Sequence, residues 1–172
     1  IPNVTGKLRY GKPVMIDDFK FLKSVTKKTA KFTIPSPSML HLRAGRAGIS
    51  KEICPDIAEF WDDAAKAYAA SIADFARAGC TYLQLDDVSF AYLCDDKIRA
   101  TCRKNGDDPD ALPRTYAFVV DEAGGADDLV AGERTHDVAV VHHSDAVAAA
   151  DQLLVVGRIE HDRRAAVGEL AQ

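Results

Sequence analysis

The stretch CTYLQLDD (residues 80–87) decides how the chain is read. Successive side chains of a strand point to opposite faces, so Leu83 and Leu85 share one face while Tyr82, Gln84 and Asp86 share the other. A strand is therefore expected over residues 81–85, ending on two adjacent acids, Asp86 and Asp87, with the aromatic run SFAYL directly behind. Acids at such a junction can cap a helix, hold a metal, or grip a cationic substrate.

The flanking elements set the context. In residues 55–78, Ile57, Phe60, Trp61, Ala64, Tyr68, Ile72 and Phe75 recur at spacings of three and four, which makes one apolar face of a helix. Pro55 suits its first turn, Asp56 and Glu59 its positive end, and Gly79 the position just past its C-terminus. Upstream, residues 17–28 read as a short helix with Asp17 and Asp18 as cap candidates, and residues 31–34 as a strand closed by Pro35. Residues 36–50, with two glycines, two arginines and a histidine, read as a long loop. Downstream, one helix is expected over residues 89–104, ended by Gly106. Helix, strand, loop, helix, strand, helix is the rhythm of an α/β protein with parallel strands.

Parity separates the two acids. If the sheet closes into a barrel, the leucine face meets the helices and the polar face turns inward, and barrels keep their active sites at the C-terminal ends of the strands. Asp86 is then expected to point inward, whereas Asp87 begins the loop or caps the next helix.

Composition bounds the rest. A chain of 172 residues, 47% hydrophobic and 28% charged, is one globular domain's worth, with or without a tail. A net charge of -4 gives no reason to expect nucleic acid or an acidic membrane surface as partner. Its uncharged apolar runs fall short of the ~20 residues of a membrane span. The N-terminus lacks both a signal-peptide pattern and an initiator Met, so a cleaved or truncated chain is expected. Cys54, Cys80, Cys94 and Cys102 match no CxxC motif and read as reduced core thiols, which points to the cytoplasm.

Beyond about residue 115 the character changes. Every lysine lies at or before Lys104, and no Phe, Tyr or Trp follows Phe118. The chain is accordingly divided into residues 1–114 and a tail, 115–172, in which residues 138–141 and 153–156 are candidate strands and 160–170 a candidate helix.

The blocks KFTIPSPSMLHLRAGRAGIS and GCTYLQLDDVSFAYLCD resemble the cobalamin-independent methionine synthases, in particular the shorter bacterial and archaeal proteins equivalent to that enzyme's C-terminal catalytic domain. The resemblance covers residues 7–114 and rests on a strand ending Gln-hydrophobic-Asp-acid, preceded by Ala-Gly-Cys and a long amphipathic helix. It implies a (β/α)8 barrel, here an incomplete one, that moves a methyl group from a methyltetrahydrofolate to the thiol of homocysteine, with zinc on the sulfur. By position Asp86 matches the family aspartate that contacts the homocysteine amine, and Asp87 matches the acid beside it. Gln84 would line the same pocket, with Ser36, Ser38, His41 and Arg43 on the same rim. Arg43, Arg46 and Lys51 could hold an anionic tail, on charge alone. The family's partners are small molecules, with neither nucleic acid nor membrane among them.

The chain departs from the family where the zinc should be. The family ligands begin with a His-x-Cys pair on a later strand, but no cysteine follows Cys102, and His136, His142, His143 and His161 form no such pair. At 172 residues the chain is also shorter than the ~250 of a full barrel. A tail of separate origin, such as a shifted reading frame, and a genuinely shortened relative both remain open. The chain alone is expected to be inactive as a methyltransferase. Two alternatives stand beside it: a related zinc–thiol transferase using another thiol such as coenzyme M, and a non-enzymatic partial barrel that self-associates through open sheet edges.

Overall fold

The structure is a computed structural model that describes residues 3–124. The strands expected at 138–141 and 153–156, the helix expected at 160–170 and the four tail histidines lie outside the described residues. Helix α1 (Ile16–Val25) leads into β1 (Lys31–Pro35), then 3-10 turns at Pro37–Leu40 and Gly45–Gly48, α2 (Ile57–Arg77) and β2 (Tyr82–Asp86). Helices α3 (Ser89–Tyr92), α4 (Asp96–Lys104) and α5 (Leu112–Gly124) follow.

The two strands pair in parallel, with Lys31 opposite Tyr82 and Pro35 opposite Asp86. This is a small open sheet in a partial α/β fold, and the described residues do not form a closed barrel. Parity works as the sequence implies. Ile34, Leu83 and Leu85 are buried together with Phe19 of α1 and Ile72 and Phe75 of α2. On the opposite face Lys31, Thr33, Pro35 and Asp86 are exposed, Tyr82 is half-buried, and Gln84 is covered. Burying each leucine contributes about 1.5–3 kcal/mol, so a one-residue register slip, which would exchange the faces, is strongly disfavoured.

Helix α2 is the spine. Asp56 is its N-cap, its side chain accepting from the Ala58 N–H at 2.9 Å. Pro55 therefore sits one residue before the cap rather than inside the first turn. At the other end Gly79 takes φ 82°, and the Gly79 and Cys80 N–H groups donate to the carbonyls of Ala76 and Phe75. That is a Schellman closure, which needs a residue at ease in the left-handed region. Lys23 of α1 donates to the Ala78 and Gly79 carbonyls at 3.4 and 3.2 Å and completes the end.

Three other expectations change. Asp17 and Asp18 lie in the first turn of α1, where they meet the positive end of the dipole; the cap position is Met15, at φ 63° with no side-chain cap bond. The helix expected over 89–104 is broken, because the Asp95 side chain accepts from the Lys97 and Ile98 N–H groups and starts α4 anew. Helix α5, not anticipated, runs across residue 114 and buries Leu112, Tyr116, Val119, Val120 and Ala123, most of it against α2.

Candidate functional site

The loops that leave the C-terminal ends of β1 and β2 come together. The Ser36 N–H donates to the Asp86 carbonyl at 2.9 Å, carrying the ladder one step past the strands. The Ser36 hydroxyl donates to Asp87 Oδ2 at 2.7 Å, and Asp87 Oδ1 accepts the Ser89 N–H at 2.8 Å. That second bond is an Asx turn that aims the chain into α3. The Ser38 and Ser89 hydroxyls lie 2.7 Å apart, and Ser38 Oγ also reaches Ser36 Oγ at 3.4 Å. Ser36, Ser38, Asp87 and Ser89 are all no more than 1% exposed. A buried carboxylate with each oxygen engaged in this way is compatible with burial, whereas a bare one is not.

The two acids of the opening stretch thus face different surroundings. Asp86 is exposed, at the end of the open sheet face. Asp87 is buried between the two strand-end loops, bonded to Ser36 and Ser89. Its charge is felt by two tyrosines: burial first, then Asp87, pushes the Tyr68 hydroxyl up to about 12. Burial first, then Cys102, Asp107 and Asp87, raises that of Tyr116 further. Tyr68 OH donates to the Pro35 carbonyl at 2.9 Å, holding the end of β1.

His41 occupies a second, separate cluster. It is 1% exposed, its Nδ1 lies 2.9 Å from Tyr116 OH, and its ring centroid is 4.9 Å from that of Trp61. Its Nε2 stands 3.3 Å from Asp107 Oδ1 without making a hydrogen bond. Asp107 Oδ2 accepts the Arg46 N–H at 2.9 Å. Burial works to raise the Asp107 carboxyl, but His41 and the Arg46 N–H outweigh it and leave it below the usual carboxylate value.

Of the predicted rim, then, the structure groups Ser36, Ser38 and Asp87, sets Asp86 and Gln84 on the open face, and encloses His41 among α2 and α5. Arg43 is exposed. The Arg46 guanidinium donates to the carbonyls of Ile49, Cys54 and Pro55 at 3.0, 2.7 and 3.2 Å, so it staples its own loop. Lys51 is exposed. Ser89, Asp107 and Tyr116 were missed. Ser89 and Asp107 carry no periodic signal and Tyr116 reads only as part of the apolar stripe of α5; their partners lie 51 to 75 positions away.

Gly45 makes this packing possible. It takes φ 60°, and a Cβ there would overlap Asp107 Oδ2 and stand 2.9 Å from Asn105 Cβ. Gly45→Ala is expected to lower stability by more than the ~1–2 kcal/mol of the left-handed backbone alone, measured by urea unfolding. A loss under half a unit would mean that the 105–107 segment yields freely.

A resident metal does not fit here: among the described residues no group of three His, Cys, Asp or Glu could hold one.

No family model matches the chain. It is 37% identical over 141 residues to the uncharacterized protein YxjH of Bacillus subtilis, and 33% identical over 141 residues to YxjG of the same organism. Each match covers 81% of this chain and 35% of the relative, so the chain spans about a third of the curated proteins it matches. Matches of that extent run past residue 118, beyond the 7–114 span that carries the resemblance. Among solved structures, the chain is similar to the crystal structure of the "Putative Vitamin-B12 Independent Methionine Synthase" from Listeria monocytogenes, with TM-score 0.61 and 37% identity over 79% of this chain and 39% of that one. At a coarse level this supports a methionine synthase-like fold. No helix among the described residues is long and apolar enough to cross a membrane.

Proposed function

We propose that this chain carries part of the substrate rim of a methionine synthase-like methyltransferase, one that moves a methyl group from a methyltetrahydrofolate to the thiol of homocysteine. The observation that carries the reading is Asp86: an exposed carboxylate at the C-terminal end of a parallel strand, with its strand-end loop fixed from behind by buried hydrogen bonds. Such a group can take the ammonium of an amino-acid substrate and fix its orientation, which methyl transfer requires. Gln84 and Thr33 stand on the same face. The similarity to the Listeria protein supports the reaction class.

The residues present supply binding and orientation. Activating the thiol as a nucleophile needs a group to remove its proton. The described residues do not fit a metal, and the chain alone is expected to bind substrate without turning it over. A reducing, cytoplasmic setting is part of the proposal, supported by the four free thiols among the described residues.

The test is calorimetric titration of the chain with L-homocysteine and with 4-sulfanylbutanoate, which lacks the amine. Homocysteine is expected to bind more tightly, and Asp86→Asn to erase about a tenfold preference or more, the size of a lost charged hydrogen bond. Equal affinity for both compounds in the wild-type chain would remove the ammonium reading. Methionine formation by the unaided chain, lost on Asp86→Asn, would show that the chemistry is complete here.

A second reading has its own observation. Each strand pairs on one side only among the described residues, and two-stranded parallel sheets are rarely left open. Self-association through those edges is accordingly proposed, and sedimentation should show species larger than the 18.6 kDa monomer. A single monomeric boundary at high concentration counts against it.

A further inference from the structure

We infer that Asp87 is a positioning carboxylate, which clamps the two strand-end loops so that Asp86 alone meets the ligand's ammonium. This rests on the reading of Asp86 just given and extends it to a residue that resemblance would place in the pocket as a second ligand-facing acid.

One rule of strand geometry and four observations carry it. Consecutive residues leaving a strand point to opposite sides, so a single ammonium on the open face cannot meet both acids. Asp87 is 1% exposed, while Asp86 is exposed. Both Asp87 oxygens are already used, one by the Ser36 hydroxyl and one by the Ser89 N–H. The same Ser36 donates its N–H to the Asp86 carbonyl, so the bond to Asp87 fixes the residue that pins the Asp86 backbone. The Ser38–Ser89 hydroxyl pair ties the same two loops a second time. Removing the Asp87 side chain frees Ser36, and with it the direction in which Asp86 is presented.

The experiment separates a charge at position 87 from a clamp. Asparagine keeps an acceptor for the Ser89 N–H, and its amide can donate to a Ser36 hydroxyl turned to accept, so the clamp survives without the charge. The ratio of affinities for L-homocysteine and 4-sulfanylbutanoate is measured in wild type, Asp86→Asn, Asp87→Asn, Asp87→Ala and Ser36→Ala. A merely structural role lowers the folded fraction and scales both affinities alike, leaving the ratio unmoved. Asp87→Asn is expected to keep the ratio within about threefold, and Asp87→Ala to lose about tenfold, as a misplaced charged hydrogen bond does. Ser36→Ala should fall between them. A ratio lost equally in Asp87→Asn and Asp86→Asn overturns the inference, because the charge at 87 would then be reading the ammonium.

If the wild-type chain binds neither compound, the function proposed above fails, and the clamp is read without ligand. The Asp86 carboxyl-carbon resonance is then compared by NMR. It is expected to stay in place in Asp87→Asn and to move in Ser36→Ala and Asp87→Ala. Should Asp87→Ala not fold, Asp87→Asn and Ser36→Ala carry the comparison. An unchanged Asp86 carboxyl resonance in Ser36→Ala overturns the clamp.

Discussion

Phe75→Ala is expected to lower the stability of the chain by about 3–5 kcal/mol, a large share of the ~5–15 kcal/mol that holds a domain together. Phe75 is 1% exposed on the face of α2 that meets the sheet. Its ring lies 6.1 Å from that of Phe19 on α1 and 5.3 Å from that of Phe32 on β1, with Phe19 and Phe32 themselves 5.9 Å apart. Three elements therefore meet on one aromatic triangle, and truncation leaves a cavity that none of them can fill alone. The check is the urea midpoint, with Phe118→Ala as control, since exposed Phe118 should shift stability by no more than ~0.5 kcal/mol. If both variants unfold together near wild type, the triangle is not what joins α1 to the sheet.

Asp107→Ala is expected to cost about 1–3 kcal/mol, the penalty of one stranded donor, and its effect should depend on pH. The substitution strands the Arg46 N–H and removes the carboxylate that lies 3.3 Å from His41 Nε2. Because the Asp107 carboxyl is held below its usual value in the folded state, its contribution is fully present above the unfolded carboxylate range and is lost as pH falls through the folded value. Wild type should therefore lose stability on acidification below about pH 4, and Asp107→Asn should flatten that part of the curve. Parallel acid limbs in the two proteins would show that other carboxylates govern it. The acid limb also separates this cluster from the Asp86 site: His41, Tyr116 and Asp107 hold α5 and the 105–107 segment against α2, and none of them lies on the open face.

The elements that a period defines were legible in advance. Helix α2 announces itself by seven apolar residues at spacings of three and four, and β2 by Leu83 and Leu85 on one side. Helix α5 carried the same kind of signal in Leu112, Tyr116, Val119 and Ala123, yet the loss of lysines and aromatics nearby drew attention to a boundary instead. Composition is a property of the surface, and it changed there while the buried stripe did not. The break at Asp95 was missed for a different reason: a single cap residue decides it, inside an otherwise helical run.

By itself, the sequence determined the parallel α/β rhythm, the leucine face of β2, and the fact that Asp86 and Asp87 leave the strand in opposite directions. Those follow from local geometry, because strand parity and helix period depend only on neighbours along the chain. The tertiary structure alone decided which acid is buried with which partners. Ser36 stands 51 positions before Asp87, and only the pairing of β1 with β2 brings the two within 2.7 Å. It likewise decided that His41, legible as a rim residue, is packed beneath Trp61 and Tyr116, since burial is fixed by elements that arrive from elsewhere in the chain.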